Sequence, residues 1–109
     1  MKPIRFAGDA LAELRAFPQA IRQDAGYQLH KVQCGEQPAD FKPMPAIGPG
    51  VEELRVRDAS RAYRIIYTAR LADAVYVLHA FQKKTQRIAR ADLELAQQRF
   101  AQVKRERTP

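Results

Sequence analysis

The sequence has very few of the residues that build disulfide frameworks and metal sites. Its 109 residues include one cysteine, Cys34, and two histidines. A single cysteine cannot form an intramolecular disulfide, and neither histidine lies in a metal-ligand spacing. We therefore expect a chain with no disulfide, no metal site and no cofactor.

Long apolar segments are also missing, and glycine is scarce. No uninterrupted apolar stretch approaches the roughly 18 to 20 residues that span a bilayer, and the N-terminal sequence MKPIRFAGDA lacks the apolar centre of a signal peptide. None of the five glycines belongs to a phosphate-binding loop, which argues against a nucleotide hydrolase. The length suits one core, so we predict a single cytoplasmic domain over residues 1–109 with no membrane partner.

Positive charge is abundant instead, and it is unevenly distributed. The formal net charge is +7; residues 1–54 carry six Lys/Arg against seven Asp/Glu, whereas residues 55–109 carry 13 against five. A basic surface attracts polyanions at long range, and phosphate backbones are the commonest polyanions of a cytoplasm. The second half of the chain is therefore predicted to contact nucleic acid; the alternative is that the surplus cations serve only solubility.

Helical periodicity appears at both ends of the chain. The predicted helices are residues 9–17, 18–34 and roughly 92–104. Pro18 suits the start of the second helix, and Gly35 followed by Pro38 suits its end, because glycine allows a left-handed residue and proline forbids further helix. The first two helices are predicted to form a hairpin.

Strand patterns occupy the middle of the chain. The strand candidates are residues 51–56, 61–68 and 74–82, with a short opening strand in KPIRF, residues 2–6. Residues 37–50 hold four of the seven prolines and are predicted to be an extended crossing loop. The expected fold class is α+β: an N-terminal helical hairpin packed on an antiparallel β-sheet meander, followed by a C-terminal helix.

Period-two alternation in the first two long strands separates a core face from a polar face. It puts Arg55 and Arg64 on the non-core side of neighbouring strands, within reach of one anion. The third strand is apolar on both faces, so its parity does not say whether Lys83 or Lys84 joins them. One of the two lysines is expected to do so.

Four segments resemble, in order and spacing, the phage-derived branch of the HigB/RelE toxins of bacterial type II toxin-antitoxin systems: GPGVEELRV, AYRIIY, VYVLHAFQKKTQ and DLELAQQR. The resemblance covers about residues 40–101. It implies a RelE-like fold, a metal-independent, ribosome-dependent endoribonuclease that inhibits translation by cutting mRNA, and a cognate helix-turn-helix antitoxin. Where the family commonly has a proline after Lys-Lys-Thr, this chain has RIARAD, which leaves the start of the last helix open.

Carried over residue by residue, the family's basic catalytic site falls on Arg55, Arg64 and Lys84, with Lys83 beside it. Arg64 would stabilise the phosphorane, Arg55 would hold the scissile phosphate, and Lys84 would be the acid or a second stabiliser, a role it could exchange with Lys83. Metal-free RNA cleavage needs these functions, and clustered cations can supply them. They can also depress a lysine pKa enough to make it an acid or base.

Three further arginines, Arg57, Arg61 and Arg87, are predicted RNA contacts. The alternative is that all these cations are solvated on the outer face of the sheet. Arg64 on such a face would contribute little to folding, about half a kcal/mol.

The general base stays open among Glu53, His79 and a lysine. A carboxylate at position 53 could act as a base or could simply orient Arg55. His79 shares parity with Val77 and Phe81, so a hydrogen-bonded place in the sheet interior is favoured over catalysis.

Two other functions are compatible with the sequence. One is a non-nucleolytic toxin of the RelE/ParE fold that acts on a protein target, against which the retained Arg64 and Lys84 argue. The other is a basic nucleic-acid-binding module without catalysis. A neighbouring gene for a small helix-turn-helix protein would favour either toxin, and cleaved mRNA would favour the nuclease.

Overall fold

The computed structural model describes residues 1–107 and confirms the predicted α+β class. The elements in chain order are β1 (Ile4–Phe6), α1 (Ala10–Arg15), α2 (Gln19–Gln33), β2 (Phe41–Pro43), β3 (Val51–Arg57), β4 (Ala62–Thr68), β5 (Val75–Lys83) and α3 (Arg90–Arg107). Within the described residues, no helix is both long and apolar enough to cross a membrane.

The sheet has five strands in the order β1-β5-β4-β3-β2. Strands β3, β4 and β5 form the antiparallel meander that the sequence predicts. The complete sheet is mixed, because β1 pairs in parallel with β5, and β2 adds an antiparallel edge beside β3. Strand β2 lies in the segment predicted to be a crossing loop; a proline is tolerated there because an edge strand leaves one row of backbone groups unpaired.

The helical hairpin ends as its sequence predicts. Gly35 has a φ of 85°, in the left-handed region, and its N–H donates to Val32 O at 3.0 Å. The N–H of Glu36 donates to Lys31 O at 2.9 Å. These two bonds satisfy the carbonyls of the last turn of α2 and redirect the chain toward the sheet.

Helices cover both faces of the sheet, so the second face is not simply an outer surface. The face carrying Leu54 and Ile65 packs against α1 and α2. On the opposite face, Ile66 and Leu78 pack against α3 through Phe100 and its apolar neighbours. This second apolar cluster covers only part of that face, and the rest carries the charged side chains described below.

The last helix is longer than predicted at both ends. It begins at Arg90 and extends to Arg107. Its docking requires a close approach to the loop before β3, since a Cβ at Gly48 would collide with the ring of Phe100. The absence of a side chain at position 48 therefore lets α3 lie against the sheet.

Candidate functional site

Two arginines lie directly opposite each other on the second face of the sheet. The antiparallel register of β3 and β4 pairs Arg55 with Arg64, as the alternation predicts. Like charges directly opposite on neighbouring strands repel and destabilise a sheet unless a counter-charge is present. The counter-charge is Glu53, two residues before Arg55 and on the same face.

Glu53 is buried between the two arginines, with 5% of its surface exposed. Its Oε1 accepts a hydrogen bond from Arg55 Nε at 3.3 Å and lies 3.0 Å from Arg64 Nε. The second contact is an ion pair without hydrogen-bond alignment, and Arg64 Nε is a buried donor with no hydrogen-bond partner within residues 1–107. One carboxylate oxygen thus serves two guanidinium groups.

Arg64 is not the solvated surface residue that the alternation suggests. It is 5% exposed, and its Nη1 donates to Tyr63 O at 3.2 Å. Burial lowers the pKa of Arg64, and this effect is opposed by Glu53 and reinforced by the positive charges of Arg55 and Arg57. The expectation of an exposed position on the outer face is therefore wrong. Arg64 is a cation held largely out of water.

The structure brings Lys83 rather than Lys84 next to these arginines. Lys83 ends β5, is half-buried, and pairs with Ala62 two residues before Arg64. Burial lowers the pKa of Lys83, and the positive charge of Arg64 lowers it further. Lys84 follows the strand and is exposed.

Strand β2 and the residue before it add two charged residues that the sequence analysis missed. Lys42 lies opposite Glu53 and contributes to the lowered pKa of Lys83. Asp40 lies 3.8 Å from Arg55 Nη1 and 3.6 Å from Arg57 Nη2. The alternation of apolar Phe41 and charged Lys42 could have indicated a short strand here, but the surrounding prolines favoured a loop. Together these contacts define the basic cluster: Lys42, Arg55, Arg64 and Lys83 around Glu53, with Arg57 at its exposed rim.

The other two predicted RNA contacts lie outside the basic cluster. Arg61 pairs with Asp58 at 3.2 Å in the β3–β4 turn, and its guanidinium lies 5.9 Å from the ring of Tyr63, a residue of the first face. Arg87 is exposed in the segment that joins β5 to α3. It lines a cavity of about 400 Å³ together with Lys83 and Lys84.

His79 is buried and hydrogen-bonded, as the sequence reading favours. Its Nδ1 lies 2.8 Å from Glu13 Oε1 and its Nε2 lies 2.7 Å from Asp92 Oδ1. Arg99 Nη1 also donates to Glu13 Oε1 at 2.8 Å. Burial alone would raise the pKa of Glu13, but the hydrogen bonds from Arg99, His79 and the Ala80 N–H outweigh it and lower that pKa. This network ties α1, β5 and α3 together.

The arrangement can bind an anion but offers no metal site. Among residues 1–107, no group of three or more His, Cys, Asp or Glu side chains is placed to hold a metal ion. The basic cluster presents guanidinium and ammonium groups, which suit the oxygens of a phosphate. Arg64 is the strongest of these donors, because an interaction in a partly dehydrated site is screened less than one in water.

The comparison with protein families agrees with the motifs. Residues 12–101 match the model of the family described as phage derived protein Gp49-like, a family linked to RelE-like toxins. No curated protein matches the chain. The matched segment runs from within α1 through most of α3 and contains every residue of the basic cluster. The chain therefore belongs to the family of phage-derived Gp49-like proteins.

Proposed function

We propose that this protein is the toxin of a type II toxin-antitoxin pair, of the HigB/RelE kind, and that it cleaves mRNA on the translating ribosome without a metal ion. The observation that carries the proposal is the placement of Arg64 in the basic cluster. Its buried guanidinium lies directly opposite Arg55, and Lys83 lies on the same face of the neighbouring strand. The family match and the motif resemblance support the same assignment.

Metal-free RNA cleavage needs a base for the 2′-hydroxyl, stabilisation of the phosphorane and an acid for the leaving 5′-oxygen, and the basic cluster would supply the last two. Arg64 and Arg55 would bind the non-bridging oxygens of the scissile phosphate and stabilise the charge that the phosphorane gains. Lys83 would protonate the leaving 5′-oxygen, because its lowered pKa makes its ammonium group a better acid than an ordinary lysine. Lys84 and Arg87, exposed next to Lys83, would contact the flanking RNA backbone.

The partners follow from the same proposal. The ribosome would present the mRNA, whose phosphate backbone the cations would contact. A cognate helix-turn-helix antitoxin would neutralise the toxin by covering part of the basic half of the chain, because an acidic segment of the antitoxin is attracted to a basic surface.

The proposal is tested by incubating the purified protein with ribosomes programmed with a defined mRNA. Primer extension then measures the rate at which the mRNA is cut. The parent should cut the mRNA only when ribosomes are present, and Arg55→Ala and Lys83→Ala should each cut at least tenfold more slowly. Arg90→Ala is the matched control, because Arg90 is an exposed arginine on α3 that pairs with Glu94 away from the cluster. It should cut at the parental rate.

Expression of the chain alone in bacteria provides the second arm. Growth arrest with cleaved mRNA supports the nuclease. Growth arrest with intact mRNA would instead support the toxin that acts on a protein target. Normal growth together with salt-sensitive RNA binding would support the non-catalytic binding module.

A further inference from the structure

Glu53 has a role in this site that its burial and its two contacts define. We infer that Glu53 is a positioning residue that holds Arg64 and Arg55 together as one phosphate clamp, and that it is not the general base. The inference rests on the proposed cleavage of RNA. It concerns a carboxylate that the sequence alone left undecided between the two roles.

The contacts of Glu53 are those of a bridge. A single oxygen, Oε1, lies 3.3 Å from Arg55 Nε and 3.0 Å from Arg64 Nε. Without this carboxylate the two guanidinium groups would face each other across neighbouring strands with no charge between them. Repulsion would then drive them apart, because like charges directly opposite in a sheet are destabilising.

The bridge also determines which donors remain for a phosphate. Arg64 uses Nε toward Glu53 and Nη1 toward Tyr63 O, while Arg55 uses Nε toward Glu53 and Nη1 toward Asp40. Within residues 1–107, neither Nη2 has a partner in the chain. Each arginine is thus held through Nε and Nη1 and keeps the two N–H donors of its Nη2. Two such groups on adjacent strands can bind two oxygens of one phosphate.

The direction of its contacts argues against Glu53 as the base. A general base must come within hydrogen-bond reach of the 2′-hydroxyl from which it takes the proton. Oε1 of Glu53 instead faces the Nε atoms of both arginines, while the Nη2 groups of those arginines remain for a substrate.

Glu53→Gln tests the positioning role with little change in volume. Cleavage should fall by roughly tenfold to a hundredfold, because a small displacement of a binding group costs about that much. The matched control is Glu52→Gln, which removes one charge from the same strand on the opposite face, where Glu52 accepts a 2.7 Å hydrogen bond from Tyr67. The control should cleave at the parental rate.

A double-mutant cycle with Arg64→Ala separates positioning from base catalysis. If Glu53 acts through Arg64, Glu53→Gln should slow cleavage by less than about threefold further in the Arg64→Ala background, and the acidic limb of the pH–rate profile should keep its position. If Glu53 is the base, the two losses should multiply and the acidic limb should disappear. That second pattern would overturn the inference.

An NMR measurement makes the inference independent of activity. The Nε–H of Arg64, detected in ¹⁵N-arginine-labelled protein, should exchange slowly with water in the parent and at least tenfold faster in folded Glu53→Gln. An unchanged exchange rate would show that Glu53 does not hold Arg64. If the parent fails to cleave mRNA, the proposed function fails, yet this exchange rate still decides whether the bridge exists.

Discussion

Replacing Arg64 with alanine should destabilise the fold well beyond the cost of a surface substitution. The Arg64 side chain is 6% exposed, and its Nε lies 3.0 Å from an equally buried carboxylate, that of Glu53. Removing one partner of a buried ion pair typically costs about 3–5 kcal/mol, because the other charge is left uncompensated. Here Arg55 stays 3.3 Å from the same oxygen. We therefore expect a smaller loss, about 2 kcal/mol in the free energy of unfolding.

Urea unfolding of the two proteins measures this loss as a shift of the midpoint at constant slope. Arg90→Ala is the control, because the Arg90 side chain is 90% exposed, and it should stay within about 0.5 kcal/mol of the parent. A loss below about 0.5 kcal/mol for Arg64→Ala would refute the reasoning from burial. Arg64→Ala should also cleave roughly a hundredfold more slowly. That comparison is made at a temperature at which both variants are folded.

Three further predictions concern the lysine pair, acid stability and the docking of α3. Lys83→Met should slow cleavage at least tenfold more than Lys84→Met in the ribosome assay, and equal effects would contradict the placement of Lys83 in the basic cluster. The pKa of Glu13 is lowered by folding, so its contribution to stability is complete above its ordinary value of 4.5 and is lost as the pH falls through the lower folded value. Glu13→Gln should therefore be less stable than the parent at pH 7, and urea unfolding should show this difference shrinking at the acid end. Gly48→Ala should reduce the free energy of unfolding by about 1–3 kcal/mol, because the added methyl group displaces Phe100. The midpoint of thermal unfolding should fall accordingly. An unchanged midpoint would show that α3 can move at no cost.

Local patterns predicted the parts of the fold that depend on neighbouring residues. Alternation in β3 and β4 is strict, so it identified Arg55 and Arg64 as neighbours on one face, and the register confirms them as a direct pair. The end of α2 at Gly35 is equally local, since it depends on one left-handed residue. Both signals need only a few consecutive residues.

Parity failed on β5 for a specific physical reason. The register shifts between Ile66 and Tyr67, which pair with His79 and Val77, so Leu78 is an extra residue in the strand. A bulge of this kind reverses the alternation of every residue beyond it. No pattern within 75–83 reveals a bulge in a strand that is apolar on both faces, so the choice between the two lysines needed the three-dimensional register.

The burial of Arg64 could not be predicted either, because it depends on contacts between separate elements. Alternation predicts that Arg64 points away from the face that packs against α1 and α2, but it does not predict what covers the opposite face. The neighbours of Arg64 on that face come from other strands: Glu53 of β3 lies 3.0 Å from its Nε, and Phe81 of β5 is its partner in the register. The network around His79 is similarly non-local, since Glu13 lies 66 residues before it.

The second face of β5 shows why the chemistry is expected at the end of the strand. His79, Phe81 and Lys83 lie at alternate positions on this face. His79 is held by Asp92 in the first turn of α3, and its ring lies 4.9 Å from that of Phe81, which pairs with Arg64. Beyond Phe81 burial decreases: Gln82 and Lys84 are exposed, and Lys83 is half-buried. Lys83 lies two residues beyond Phe81 on the same face. It would therefore keep access to RNA while partial burial and Arg64 lower its pKa. His79, whose contacts anchor α3, thus supports the fold, whereas Lys83 is the residue proposed to transfer a proton.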